Sequence, residues 1–229
     1  MIVHGYNGVS AAKVGLFENS RAVVGLASVY QQDQEIYGEG EPAMRAYKVL
    51  RGVVRTYKLL DDGRRQVAAF YFPNDVFGLD LVETYGSTAE AVVTSQVASF
   101  QRQQIADAAS RSIEVAHQLW TCTARNLDRA ESHLLLLGRK TAAERVEAFL
   151  DEMNQRGRQT GRVHLSMSRR DIADYLGLTV ETVSRVLHSM KDQGRLTLSG
   201  ARSISLRAIG QSHCEPMGMA LATTGRQGA

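Results

Sequence analysis

The stretch from Ser168 to Met190 constrains the chain more than any other. It reads Ser-Arg-Arg-Asp-Ile-Ala-Asp-Tyr-Leu-Gly-Leu-Thr-Val-Glu-Thr-Val-Ser-Arg-Val-Leu-His-Ser-Met. Two short amphipathic helices with a tight break between them fit this pattern. Ser168 can cap the first helix, and Asp171 three residues on completes a capping box. Ile172, Ala173 and Leu176 share one face at helical spacing. Gly177 stands where a left-handed residue ends a helix, and Thr179 can cap the second. Val183, Val186 and Leu187 give that second helix its apolar face. A small residue, a glycine four later and a branched residue six after that is helix-turn-helix spacing. Ala173 allows close approach, Gly177 makes the turn and Val183 packs one helix on the other.

The polar face carries the chemistry. Glu181, Thr182, Ser184 and Arg185 occupy the first two turns of the second helix, the part that enters a major groove. Arg185 can fork onto O6 and N7 of a guanine, Glu181 can accept from N4 of a cytosine, and Ser184 can touch a neighbouring base. An ordinary antiparallel helix pair with a solvated Glu181–Arg185 pair is the competing reading; the caps, glycine, apolar spacing and groove face together favour DNA. Ser168, Arg169, Arg170, Thr179, Thr182 and Arg202 are candidates for phosphate contacts, as is the basic turn Arg156 to Arg162.

The chain has 229 residues, 44% of them hydrophobic, enough for one large domain or two small ones. Its net charge of +3 is too mild to indicate nucleic acid by itself. No apolar run reaches membrane-spanning length, and no secretory signal pattern opens the chain. Two cysteines, Cys122 and Cys214, make no disulfide framework. A cytoplasmic protein without membrane contact is the expectation.

Before the helix-turn-helix, three segments differ in period. Met1 to Val29 is weakly patterned, with Ala22 to Leu26 readable as helix or strand. From about Tyr30 to Gln104, short apolar runs alternate with turn signals: Asp61-Asp62-Gly63 is a hairpin turn, and Pro73-Asn74-Asp75 ends the returning strand. This reads as a jelly roll or barrel. From Ala106 to Gly138 the period is helical: Ile113, Ala116, Trp120, Thr123, Leu127, Ala130, Leu134 and Leu137 follow three-four spacing, a seam suited to a second copy of the chain. Ile113, Trp120, Leu127, Leu134 and Leu137 are the candidate dimer residues; an amphipathic helix lying on its own barrel is the blander reading. Thr141 and Glu144 form a second capping box, and Gly157 stops that helix. Leu196 to Leu198 and Ile204 to Leu206 alternate around a Gly-containing turn with Arg202 at its tip, which adds a wing. The expected organisation is a β-roll over 1–105, a dimerisation helix over 106–138, a winged helix-turn-helix over 139–210 and a disordered tail over 211–229.

Asp171 to Arg185 resembles the recognition segment of the CRP/FNR superfamily of bacterial transcription regulators. Its Glu-x-x-Ser-Arg face is that of the FNR side, and Ser168-Arg169-Arg170-Asp171 looks most like the FixK branch. Leu50 to Tyr57, Asp62 to Gln66 and Pro73 to Leu79 resemble the β-roll of the same superfamily, so the resemblance covers roughly 30 to 210. It implies an α+β fold: a jelly-roll, cyclic-nucleotide-binding-like β-roll, a long dimerisation helix and a winged helix-turn-helix. It also implies a non-enzymatic activator that binds double-stranded DNA as a homodimer at TTGA-like inverted repeats. RNA polymerase would be its partner, and genes of low-oxygen metabolism, nitrogen fixation or denitrification its targets.

The family's effector chemistries can be tested on residues. Cyclic-nucleotide binders carry a Glu and an Arg where this chain has Leu79 and Ala89, and no arginine lies between Arg65 and Arg102. A buried phosphate without a cation is costly. Oxygen sensors hold an iron–sulfur cluster on N-terminal cysteines, but the first cysteine here is Cys122. A metal-dependent barrel enzyme would need histidines, and none lies between His4 and His117. No cofactor is therefore expected. Haem sensing through His4, His117 or a non-histidine ligand, other small-molecule sensing, and a ligand-binding barrel without DNA function stay open as alternatives.

Overall fold

Among the described residues, short antiparallel strands predominate as far as Gln101. The computed structural model describes residues 9–17, 20–79, 83–157, 160–200 and 202–206; His4, Asp80, Arg158, the proposed tail and Cys214 lie outside them. The strands are β1 (Val9–Phe17), β2 (Ser20–Tyr30), β3 (Glu35–Tyr37), β4 (Arg45–Arg51), β5 (Val54–Leu59), β6 (Arg65–Tyr71), β7 (Val76–Phe77), β8 (Thr88–Ala91) and β9 (Ser95–Gln101). They form a five-stranded sheet in the order β1-β2-β9-β4-β7 and a four-stranded sheet in the order β3-β8-β5-β6.

Ala22 to Leu26 is strand. Val23 and Ala27 are buried, but the outward Val24 and Leu26 are apolar too, 41% and 51% exposed, which erases the alternation that marks a strand. The Asp61–Gly63 turn joins β5 to β6 as expected, closed by Gly63 N–H donating to Leu60 O at 2.8 Å. Gly52, with φ +87°, lies against Ser95 so closely that a Cβ would collide with its side chain, fixing the β4–β5 corner.

Aromatic rings fill the space between the sheets. Tyr37 stacks on Tyr85 with centroids 3.7 Å apart, Tyr47 lies 5.3 Å from Phe77, and Tyr71 lies 5.0 Å from Phe77. Val49, Val54, Ala89 and Val97 complete this core. Burial, reinforced by the neighbouring Tyr85, pushes the Tyr47 hydroxyl far above its ordinary pKa.

Two helices follow where one was expected from Ala106. α1 (Arg102–Arg111) and α2 (Ile113–Arg139) are separated at Ser112. The Ser112 hydroxyl accepts from Val115 N–H at 3.4 Å, so a serine inside a helical period starts a new helix instead of continuing the old one. α3 (Ala142–Arg156) carries the expected Thr141–Glu144 capping box and ends at Gly157. β10 (Arg162–His164), α4 (Arg169–Leu176), α5 (Val180–Asp192), β11 (Leu196–Leu198) and β12 (Ser203–Leu206) complete the C-terminal module. Its small sheet runs β10-β12-β11. The β11–β12 hairpin matches the expected wing, whereas β10 falls where the sequence pattern suggests only a basic turn.

One core joins the two modules. Val53, Val67, Phe70 and Val92 of the roll pack with Phe149, Leu150, Tyr175 and Leu176 of the C-terminal helices. Beside this apolar contact lies a charged one centred on Asp171, which is 4% exposed. Its Oδ2 closes the α4 capping box, accepting from Ser168 N–H at 3.0 Å and Ser168 Oγ at 2.8 Å. Its Oδ1 meets Arg65 Nη2 at 2.6 Å and Arg55 Nη1 at 3.2 Å. Arg65 also pairs with Asp174. Buried Arg55 is held charged against the cost of burial by Asp171, Glu90 and Asp33 together. Tyr57 donates to Glu90 at 2.6 Å, and burial plus that carboxylate raise its hydroxyl pKa to about 12.

Asp171→Ala removes the cap and leaves two arginines without their shared carboxylate. Urea unfolding should show a loss of about 3 kcal/mol; Asp171→Asn, which can keep the Ser168 cap but turns an amide donor toward Arg55 and Arg65, should lose nearly as much.

Candidate nucleic-acid interface

α4 and α5 take the geometry that the sequence pattern requires. Ser168 and Asp171 close a capping box, Gly177 sits at φ 61° and ψ 40°, and the Thr179 hydroxyl accepts from Thr182 N–H. Leu178 N–H reaches back to Ala173 O at 3.0 Å, locking the turn. Ile172, Ala173, Leu176, Val183 and Leu187 are buried at the crossing.

The opposite face of α5 is open. Glu181 and Arg185 are exposed, with Ser184 and Thr182 partly so. The Glu181 carboxyl is held below its ordinary pKa by its own backbone N–H, then Thr179 and Arg185; it is a ready acceptor. Arg185 makes no ion pair among the described residues, so its guanidinium fork is free for an external acceptor. His188, one turn further along the same face, is exposed, and its Nδ1 meets Ser184 O at 2.8 Å. It is absent from the residues the sequence pattern singles out, although its spacing from Ser184 and Arg185 could have found it.

The phosphate candidates fall into groups. Arg170, Thr179 and Thr182 line one cleft together with Arg64 and Gly63 of the β5–β6 hairpin. Arg202 is exposed at the wing. Arg169 is half-buried, and burial lowers its pKa. The Ser168 hydroxyl is engaged in its cap. Arg156 is committed elsewhere. It pairs with Asp75 and Glu152, each at 3.1 Å, and lies over the Phe72 ring, bracing the C-terminal module on the roll.

Two residues outside the motif hold it in place. Arg145 donates to Lys140 O at 2.9 Å, Leu137 O at 2.7 Å and Leu176 O at 2.9 Å, tying the end of α2 to the end of α4. His133 of α2 lies parallel to Tyr175 at 4.0 Å and donates from Nε2 to Tyr175 O at 2.8 Å. Along α2, Ile113, Trp120, Leu127 and Leu134 form one exposed row. Leu137 departs from it: partly buried, it lies against Gly177 of its own chain.

The C-terminal residues 144–210 match the Crp-like helix-turn-helix domain, and residues 27–112 match the cyclic nucleotide-binding domain. The nitrogen fixation regulation protein FixK of Azorhizobium caulinodans is 44% identical, over 81% of this chain and 77% of that one. The protein of the same name from Rhizobium meliloti is 39% identical, over 79% and 82%. The chain belongs to the CRP/FNR family of transcription regulators. The solved structure of FixK2 from Bradyrhizobium japonicum superposes with a TM-score of 0.78 at 52% identity, covering 81% of this chain and 93% of that one. Within the family this chain is FixK-like, and the family is one of DNA-binding regulators, not enzymes. Its version of the cyclic nucleotide-binding domain has an aromatic interior. Ala89, where the family's nucleotide binders carry the phosphate arginine, is fully buried in that packing.

The His133 joint is pH-sensitive. Burial depresses the His133 pKa below 6.5, partly offset by the Tyr175 carbonyl and Glu152. Below that value the unfolded chain binds more protons than the folded one, so this stability is present at neutral pH and lost as pH falls through about 6.5. The unfolding midpoint should therefore drop between about pH 7.5 and pH 5.5. His133→Phe, which keeps the stack, should flatten that drop; an unchanged slope would contradict the assignment.

Proposed function

We propose that this chain acts in the cytoplasm as a homodimeric activator, reading a TTGA-like inverted repeat and recruiting RNA polymerase. Its targets would be genes of low-oxygen metabolism, nitrogen fixation or denitrification, in keeping with the FixK likeness. The observation that carries the dimer is the α2 row: Ile113, Trp120, Leu127 and Leu134 recur every seven residues and are 91%, 74%, 60% and 71% exposed. Apolar side chains of this size in a heptad row favour a partner helix. The opposite face of α2 packs on the chain's own roll, with Asn126 donating to Val76 O and Arg129 pairing with Asp75. A second α2 on the open face would set two recognition helices in successive major grooves.

In this reading Arg185 takes the half-site guanine, Glu181 the cytosine opposite or next to it, and Ser184 a neighbouring base or methyl group. Arg170, Thr179, Thr182 and Arg202 take phosphates, with smaller parts for half-buried Arg169 and cap-engaged Ser168. The filled roll suits a regulator that does not depend on a cyclic nucleotide.

Leu127→Glu places a charge in the apolar seam and should sediment as a monomer with weak DNA binding; an unperturbed dimer would remove the seam. Arg185→Ala should cost about 1–3 kcal/mol per half-site and relax preference at the guanine in competition shifts. Arg170→Ala should weaken all sequences alike and lower the salt slope. Full guanine preference retained by Arg185→Ala would refute the base assignment.

A further inference from the structure

We propose that the cleft between α2 and the outer face of the five-stranded sheet binds a small dianion carrying a hydroxyl group. The cleft holds about 480 Å³, within the range of small-molecule sites. Lys48 lines it from β4, on the side of the strand opposite Tyr47 and Val49. Lys48 is 6% exposed, and its ammonium makes no ion pair or hydrogen bond among the described residues. Across the cleft on α2, the buried Gln118 Oε1 also lacks a hydrogen-bond partner. The Gln118 acceptor is costly to leave buried and unpaired, and the Lys48 ammonium opens to the cleft with no carboxylate among the described residues paired to it. A negatively charged ligand would pair with Lys48, and a donor on it would reach Gln118 Oε1 once that amide turns toward the cleft.

The charge of the site matches. Among the described residues that line it, Lys48, Arg125 and Arg129 contribute three positive charges and Asp75 one negative, a balance of +2. Asp75 cannot serve Lys48, because it is taken by Arg129 at 2.9 Å, Arg156 at 3.1 Å and Phe72 N–H at 3.0 Å. Of the α2 residues that line the cleft, Gln118, Cys122, Arg125 and Arg129 lie about half a turn from the Ile113–Trp120–Leu127–Leu134 row, while His117, Thr121 and Asn126 lie nearer to it. Dimerisation through that row would leave the Gln118, Arg125 and Arg129 side of the cleft facing the roll. An occupant would touch both the roll and α2, so its binding energy could bias their relative placement.

Hydrogen phosphate at about pH 8 is a suitable probe, and sulfate is its control: similar in size and charge but without a proton to donate. With ionic strength held constant, calorimetry on the full chain should show saturable phosphate binding, with sulfate several-fold weaker. Lys48→Met should weaken phosphate roughly tenfold or more, while its unfolding midpoint holds, because methionine keeps the apolar stem of the side chain in place. Arg125→Gln should weaken phosphate to a smaller degree. No saturable phosphate binding, equal affinity for sulfate, or undiminished binding by Lys48→Met would each overturn the proposal. The last result would place any bound phosphate elsewhere, as at the DNA-facing arginines.

Discussion

The structure turns on one buried carboxylate. Asp171 closes the cap of α4 with one oxygen and receives Arg55 and Arg65 of the roll with the other. The group that starts the first helix of the helix-turn-helix thus also fixes that helix to the other module. Neither half is independent: losing Asp171 would free the cap, and losing the arginines would leave a buried charge against the roll. The ion pairs lie beside an apolar core that runs without a break from Phe70 to Phe149 and Tyr175. Together they define how α5 is presented.

A second set of contacts bears on the same point from the other side. Arg145 gathers the carbonyls of Leu137, Lys140 and Leu176, and His133 gathers that of Tyr175. These are ends of helices, whose last carbonyls have no partner within their own helix. Satisfying them with side chains ties α2 directly to α4. A shift of α2 against the roll would load these contacts at α4 and, through the Gly177 turn, the exposed face of α5. Oxidation of Cys122 is a poor candidate for such a signal, since burial, then Asp75, push its thiol pKa upward and thiolate is the reactive form.

Some of this is legible in the sequence and the rest is hidden, for physical reasons. Local rules govern the helix-turn-helix: caps, a left-handed glycine and apolar spacing act within a few residues, so the pattern alone places Ser168, Gly177 and Thr179. The Asp61–Gly63 hairpin is readable for the same reason. The β1–β2 hairpin is hidden because Val24 and Leu26 are apolar on the outer face. β7, β8 and β10 are too short to show a period. The break at Ser112 is masked because Ala106 to Gly138 reads as one continuous helical period. Least legible are the long-range partners. Nothing around Arg55, Arg145 or Arg156 announces a buried ion pair or a carbonyl clamp, because the partners are distant in sequence. Leu137 obeys the heptad but packs on its own chain, since the C-terminal module folds back over the end of α2.

The proposed function rests on two copies of this chain presenting the Glu181–Arg185 face to symmetric half-sites. Selection of bound DNA from a random duplex pool at a stated salt concentration, followed by sequencing, tests that arrangement without presupposing a site. The expected product is an inverted repeat with TTGA-like arms facing TCAA, centred about one helical turn apart. An asymmetric single site, direct repeats, or enrichment without a guanine-containing half-site would contradict it.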